Sequence, residues 1–209
     1  MTVPATTAPT RTLDIEFLFL DLDTCTRCRA TDATLLEAIE RTRPALEATG
    51  VTFQVTKTLV GSETQARALG FVSSPTIRIN GTDIAGELVE SACDTCSESC
   101  ACDGGVDCRD WIWRGQRSTQ PPVGLIVEAI LQHATSPAAA AAAEGPREVP
   151  ANLRQYFAAT ASDEAARQTV GAAACCAAEA QASCCPPQDK AACCGTPAAV
   201  GSAGCGCEA

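Results

Sequence analysis

The sequence predicts an α/β domain with a cysteine-rich insertion, followed by an alanine-rich linker and a disordered cysteine-rich tail. Three observations carry that prediction. Residues 13–135 hold most of the large apolar side chains and alternate strand-like with helix-like patterns. Within that span, five cysteines crowd into Cys93–Cys108 before the last predicted elements. After residue 135 the composition turns to alanine and other small residues, with eight cysteines but little to bury.

Residues 1–12, MTVPATTAPTRT, are expected to be disordered and lack the charged and apolar regions of a secretory leader. Leu13 to Leu20 is dense in large apolar residues, the pattern of a strand buried on both faces. Cys25 and Cys28 follow at once as CxxC, and then a helix whose Leu35, Leu36, Ile39 and Leu46 share a face. Thr34 and Glu37 have capping-box spacing, Pro44 predicts a kink or split, and Gly50 a stop. Val51, Phe53 and Val55 alternate with polar residues as a second strand, and Glu63 to Leu69 predicts a short helix. Ser74-Pro75 leads into a strand at Thr76 to Ile79, closed by the hairpin signal Asn80-Gly81. The insertion spans residues 91–109. Residues 136–150 read as the linker, from Ser136-Pro137 and the alanine run. In residues 151–170, Leu153, Tyr156 and Phe157 recur at helical spacing, a short amphipathic helix expected to dock on the core. Residues 171–209 form the tail, expected to be disordered until metal binds.

Strand, CxxC, helix, strand, helix, proline, strand, hairpin, strand is the order of a thioredoxin-like core, with the dithiol at the first strand-to-helix junction. In such folds a cis proline sits opposite the dithiol, and Ser74-Pro75-Thr76 holds the corresponding place. Cys25, Cys28 and Pro75 are therefore the candidate catalytic set. The stretches PTIRINGTDI, CDTCSESC, DCRDWIWRGQ and PPVGLIVEAIL resemble a family of small thioredoxin-like bacterial proteins known only as a domain of unknown function. The resemblance covers roughly Leu13 to Ala134, and rests on the CxxC and on the later cluster with its Cys-Arg dipeptide. It implies the fold and two cysteine sites, and brings no activity. It places a further strand at Trp111 to Trp113 and the closing helix at Val123 to Leu131.

Composition removes several function classes. A net charge of −10 without a basic stripe argues against a nucleic-acid footprint. Without a Gly-rich phosphate loop, no nucleotide or organic cofactor is expected. The Ala138 to Ala143 run is too short and too weakly apolar to span a bilayer, so no membrane insertion is expected and the location is expected to be cytoplasmic. Fifteen cysteines in a reducing compartment point to metal binding or redox chemistry rather than to a disulfide framework, and an odd count cannot pair completely. His133 is the sole histidine, which leaves thiolates as the plentiful soft ligands.

The cysteines fall into three groups. Cys25 opens a helix, where the dipole and the neighbouring Arg27 and Arg29 favour a thiolate; Cys28, one turn on, is placed to resolve a mixed disulfide. The same pair suits a clamp on a soft ion. Cys93, Cys96, Cys100, Cys102 and Cys108 contain a second CxxC. Four thiolates would close a tetrahedral zinc site, although the spacing lacks the paired knuckles of a zinc ribbon. An exchange loop serving Cys25 and Cys28, or a three-sulfur soft-metal site, fits equally well. The tail carries Cys175 with Cys176, Cys184 with Cys185, Cys193 with Cys194, and then Cys205 and Cys207. Adjacent residues have Cα atoms about 3.8 Å apart, whereas disulfides want roughly 4.4–6.8 Å, so each pair is poor at bonding itself and well suited to gripping one soft ion. Paired cysteines behind a thioredoxin-like core resemble arsenical-resistance metallochaperones, although here the first site is CTRC and the tail is longer.

Three functions follow. The leading expectation is a thiol-based protein that binds or transfers soft metal(loid) ions of the arsenite, mercury and cadmium class, in metalloid resistance. Its partners would be those ions, with a thiol-exchange protein or a metal efflux system. The second is a thiol–disulfide oxidoreductase with Cys25 as nucleophile. The third is a structural or regulatory zinc protein.

Overall fold

A computed structural model of the chain describes residues 11–93, 95–96, 106–136 and 147–172, with side chains through Ser162. Two compact units divide it, Met1–Ala161 and Ser162–Ala209. The first is a mixed α/β domain. Its larger sheet contains β1 (Arg11–Phe19), β2 (Val51–Leu59), β3 (Thr76–Ile79) and β4 (Thr82–Asp83), in the order β2-β1-β3-β4. β1 and β2 pair in parallel from Arg11 with Val51 to Phe19 with Leu59, while β3 runs antiparallel to β1. Parallel pairing requires a crossover, and α1 (Thr26–Glu47) supplies it. β1 is buried on both faces only near its end, at Phe17, Leu18 and Phe19; before that, buried Leu13 and Ile15 alternate with Asp14 and Glu16. Two-sided burial over the whole strand is thus corrected, and the alternation marks a half-solvated sheet. The strand also starts earlier than expected. Arg11 donates from its guanidinium to the carbonyls of Ala134 and His133, at 2.9 and 2.8 Å.

Three details of α1 differ from the sequence expectation. The helix begins at Thr26, so Thr34 is no cap; its hydroxyl donates to the Ala30 carbonyl at 2.9 Å. Leu36 is exposed, because it lies about 100° round the helix from buried Leu35. Pro44 does not split the helix, which runs on to Glu47: in the last turn a proline forfeits a single backbone bond. α2 (Glu63–Leu69) occupies its expected span, capped by Ser62, whose hydroxyl accepts from the Gln65 amide at 3.2 Å. At the hairpin, Asn80 and Gly81 have φ of 50° and 77°, the two left-handed positions that an Asn-Gly turn supplies.

A second sheet borders the span expected to be an insertion and takes in its two ends, residues 91–92 and 107–109. β5 (Val89–Ala92), β6 (Asp107–Trp113) and β7 (Gln116–Ser118) form an antiparallel set in the order β5-β6-β7. Trp111 and Cys108, both on β6, are fully buried. α3 (Val123–Thr135) packs on α1 and extends beyond the expected Leu131. α4 (Ala151–Ala172) begins in the same unit with Leu153, Tyr156 and Phe157 buried in the core, the docked arrangement expected for this face. Val149, inside the expected linker, is buried as well. The expected disorder of residues 1–10, most of the linker (137–146) and the tail cysteines lie outside the described residues. Among the described residues, no helix is long and apolar enough to cross a membrane.

Candidate metal centre

Cys25 owes its position to the turn that ends β1. The Asp21 carboxylate accepts from the Asp23 and Thr24 amides at 2.6 and 2.9 Å, turning the chain so that Cys25 becomes the N-cap of α1. A capping residue normally offers oxygen; here the Cys25 sulfur accepts from the Cys28 amide at 3.4 Å. Cys108 projects from β6. Cys93 follows β5, where its amide donates to the Val106 carbonyl at 2.8 Å and closes the base of the cysteine-bearing loop. Cys96 lies in the short helical stretch just beyond.

These segments bring Cys25, Cys93, Cys96 and Cys108 together, with all four sulfurs buried and within 4.8 Å of one another. Cys25 and Cys96 are 3.3 Å apart, and Cys96 and Cys108 3.5 Å. Zinc–thiolate bonds of ~2.3 Å in a tetrahedron need sulfurs about 3.8 Å apart, so the set fits one four-coordinate ion after small adjustments. None of the four is in a disulfide.

Hydrogen bonds among the four thiols make them a proton-sharing cluster. Hydrogen bonds from Cys108 above all, then Cys28, Cys93 and Cys96, hold the Cys25 thiol far below its ordinary range, against the opposing effect of burial. Cys93 is lowered to about 6, chiefly by its hydrogen bond from Cys108. Cys108 is pushed up in return, first by Cys25 and then by Cys93 and Cys96, because it must keep the proton that supports their charge. A metal ion held by these four sulfurs would replace those protons, leaving every sulfur ionised.

Around the thiols lies a layer of fixed charge that the sequence did not disclose. Arg27, inside the CxxC, was expected to favour the Cys25 thiolate. Its guanidinium instead donates to Asp110 at 2.9 Å, to Ser91 at 3.0 Å, and to the Cys108 and Ala92 carbonyls at 3.3 and 2.6 Å. It thereby ties the start of α1 to β5 and β6. Arg109 of the Cys-Arg dipeptide is buried and forks onto Asp83 of β4, at 3.1 and 2.9 Å. Its amide donates to the Ser74 carbonyl at 2.7 Å, so β6 is fastened to the loop holding the cis Ser74–Pro75 bond. Tyr156 of α4 is within electrostatic reach of Cys96, Asp21, Cys28 and Cys25; burial first, and those charges second, push its hydroxyl up.

Of the sequence-predicted residues, the structure therefore unites Cys25 with Cys93, Cys96 and Cys108. Cys28 is buried but outside the four, with its sulfur 3.5 Å from the Ser74 hydroxyl. Cys100, Cys102 and the tail cysteines lie outside the described residues. The middle cluster lacks the spacing of a zinc ribbon, and the fourth sulfur beside Cys93, Cys96 and Cys108 is that of Cys25, from the head of α1.

A family model described as "Domain of unknown function (DUF2703)" matches residues 13–130, and the chain belongs to that family. No curated protein matches it. No solved structure matches it.

Proposed function

We propose that this member of the DUF2703 family holds a soft metal or metalloid ion through the thiolates of Cys25, Cys93, Cys96 and Cys108. One observation carries the proposal: four buried sulfurs, drawn from separate parts of the chain, lie within 4.8 Å of one another. Thiolates select soft ions, and a tetrahedral sulfur set suits zinc, cadmium or mercury, while a trivalent metalloid needs only three of the four. The tail pairs act as the capture device, in a reducing cytoplasm, and pass ions to or from the core site. An efflux system or a thiol-exchange protein is the natural recipient.

The scaffold for this site is thioredoxin-like. Supporting that assignment are the parallel β1–β2 pair, the antiparallel β3 and β4, the CxxC at the head of α1 and the cis Ser74–Pro75 bond. Exchange with a protein disulfide is a weaker use of the dithiol, since Cys25 and Cys28 are both 0 % exposed and a partner sulfur needs in-line access to the nucleophile.

Elemental analysis of the full-length chain, purified under reducing conditions with serine at the eight tail cysteines, tests the proposal. One ion per chain is expected, displaced in competition by cadmium, mercury or arsenite according to their thiol affinity. Serine at Cys25, Cys93, Cys96 or Cys108 should each abolish tight binding of a four-coordinate ion. Absence of stoichiometric binding to the core would overturn the proposal.

A further inference from the structure

Cys28 has no place in the four-sulfur set, yet it is 0 % exposed and contacts Cys25. As an ordinary apolar filler it would need no polar neighbour. Its sulfur nevertheless faces the Ser74 hydroxyl at 3.5 Å. That hydroxyl already accepts from the Leu20 amide at 3.2 Å, which leaves its proton free to point at Cys28. Residues three apart at a helix start have Cα atoms about 5 Å apart, within the span that a disulfide requires. Cys25 therefore stands between two possible bonding partners: the ion on one side and Cys28 on the other.

We infer that the Cys25–Cys28 pair is a redox release for the ion: oxidation joins Cys25 to Cys28 and withdraws Cys25 from the ligand set. The inference rests on the metal-binding proposal above. The oxidant is hydrogen peroxide, small enough to approach a buried sulfur that a protein disulfide cannot reach in line. The Cys25 thiolate attacks the O–O bond, taking one oxygen as a sulfenic acid while the other leaves as water after protonation. Cys28 then attacks the Cys25 sulfur; a disulfide forms, the sulfenic oxygen leaves as hydroxide, and it takes up the Cys28 proton as water. Two electrons from the two sulfurs have reduced the peroxide. Cys93, Cys96 and Cys108 remain, three ligands for an ion that had four. A tetrahedral ion such as zinc is then held in an open, weakened site. The disulfide needs no ligand other than Cys25 to be lost, whereas joining Cys93 to Cys96 would consume two.

The test uses the full-length chain with serine at the tail cysteines, loaded with zinc and treated with hydrogen peroxide. A chromogenic chelator follows release, and peptide mass spectrometry maps the disulfide. Zinc release accompanied by a Cys25–Cys28 bond is expected, with recovery of binding after reduction. Cys28→Ser should bind the same amount of zinc when reduced; after peroxide its Cys25 has no resolving thiol and over-oxidises, so zinc binding should recover on reduction in the parent and fail to recover in the variant. Cys28→Ala serves the same comparison if the serine impairs folding. Equal recovery of binding in parent and variant, or a disulfide mapped only between other cysteines, overturns the switch alone. A reduced parent that takes up no zinc overturns the metal-binding proposal and the switch together.

Discussion

Asp110 is the side chain whose removal should do most damage to the candidate centre without touching a sulfur. Its carboxylate is 3 % exposed and accepts from Arg27 at 2.9 Å, from the Ser91 hydroxyl at 3.0 Å and from Arg117 at 2.7 Å. Breaking a buried ion pair by neutralising one partner costs roughly 3–5 kcal/mol, because the other charge stays behind. Arg27, at 13 % exposure, is in that position; Arg117, at 52 %, is near enough to water that its pairing adds only about 0–1 kcal/mol. Asn at 110 keeps the shape and one acceptor, so Asp110→Asn should lose about 3 kcal/mol, at the lower end of the range. The same change loosens the link between Cys25 on α1 and Cys108 on β6. Partners that orient metal ligands from behind commonly matter by about 10–100-fold in affinity, and a zinc-affinity loss of that size is expected. Urea unfolding of the metal-free protein and zinc titration against a competing chelator measure the two effects. Arg117→Gln is the control, with a loss of about 1 kcal/mol or less. An Asp110→Asn protein that unfolds like the parent and binds zinc equally well would refute the idea that this carboxylate fixes the geometry of the site.

Further outcomes follow from other positions. Cys28 keeps its proton more firmly than a free thiol, first because it hydrogen-bonds the Cys25 thiolate and then because it is buried. A raised pKa contributes stability that is complete below the ordinary thiol value of 9.0 and is lost as pH rises above it, so the metal-free protein should melt lower at alkaline pH, and Cys28→Ala should reduce that slope. Gly124→Ala should cost about 1–3 kcal/mol, since a β-carbon there would clash with the Trp113 ring, and tryptophan fluorescence should shift with the displaced indole. Ending the chain after Ala172 removes all eight tail cysteines, and should leave one ion in the core while abolishing any additional binding measured by elemental analysis.

Much of the first sheet was legible because local signals and tertiary environment agree there. α2 has its own cap, and Asn80-Gly81 has turn chemistry that few alternatives satisfy. β5 and β7 were missed for the opposite reason. VESA and QRS are short and polar, and their pairing with β6 makes them strands, not their own periodicity. The start of α1 was legible in the CxxC that opens it, whereas the capping-box spacing at Thr34 misled because sulfur rather than oxygen caps this helix. All four members of the sulfur set were identified as chemically active cysteines, but their union was not readable. Spacing within the middle cluster carries no information about a residue on another element. Arg27 shows the same limit: its charge was evident, while its engagement by Asp110 depends on β6 lying against α1.

The separation of the ligands along the chain sets an order for assembly. Cys96 and Cys108 are 12 residues apart, whereas Cys96 and Cys25 are 71 apart. Closing the longer span costs about 1.6 kcal/mol more in chain entropy if both behave as flexible loops. Among the four proposed core ligands, those within the 93–108 segment would therefore engage an ion first, as a partial thiolate complex. On the metal-binding proposal, the bond to Cys25 would come last, when α1 docks and brings the distant end of the chain home. Although Cys25 leaves the ribosome well before the other three ligands, it completes the site after them. A folding experiment started by adding zinc should accordingly show thiolate-to-metal absorbance rising before the tryptophan environment of β6 reaches its final state.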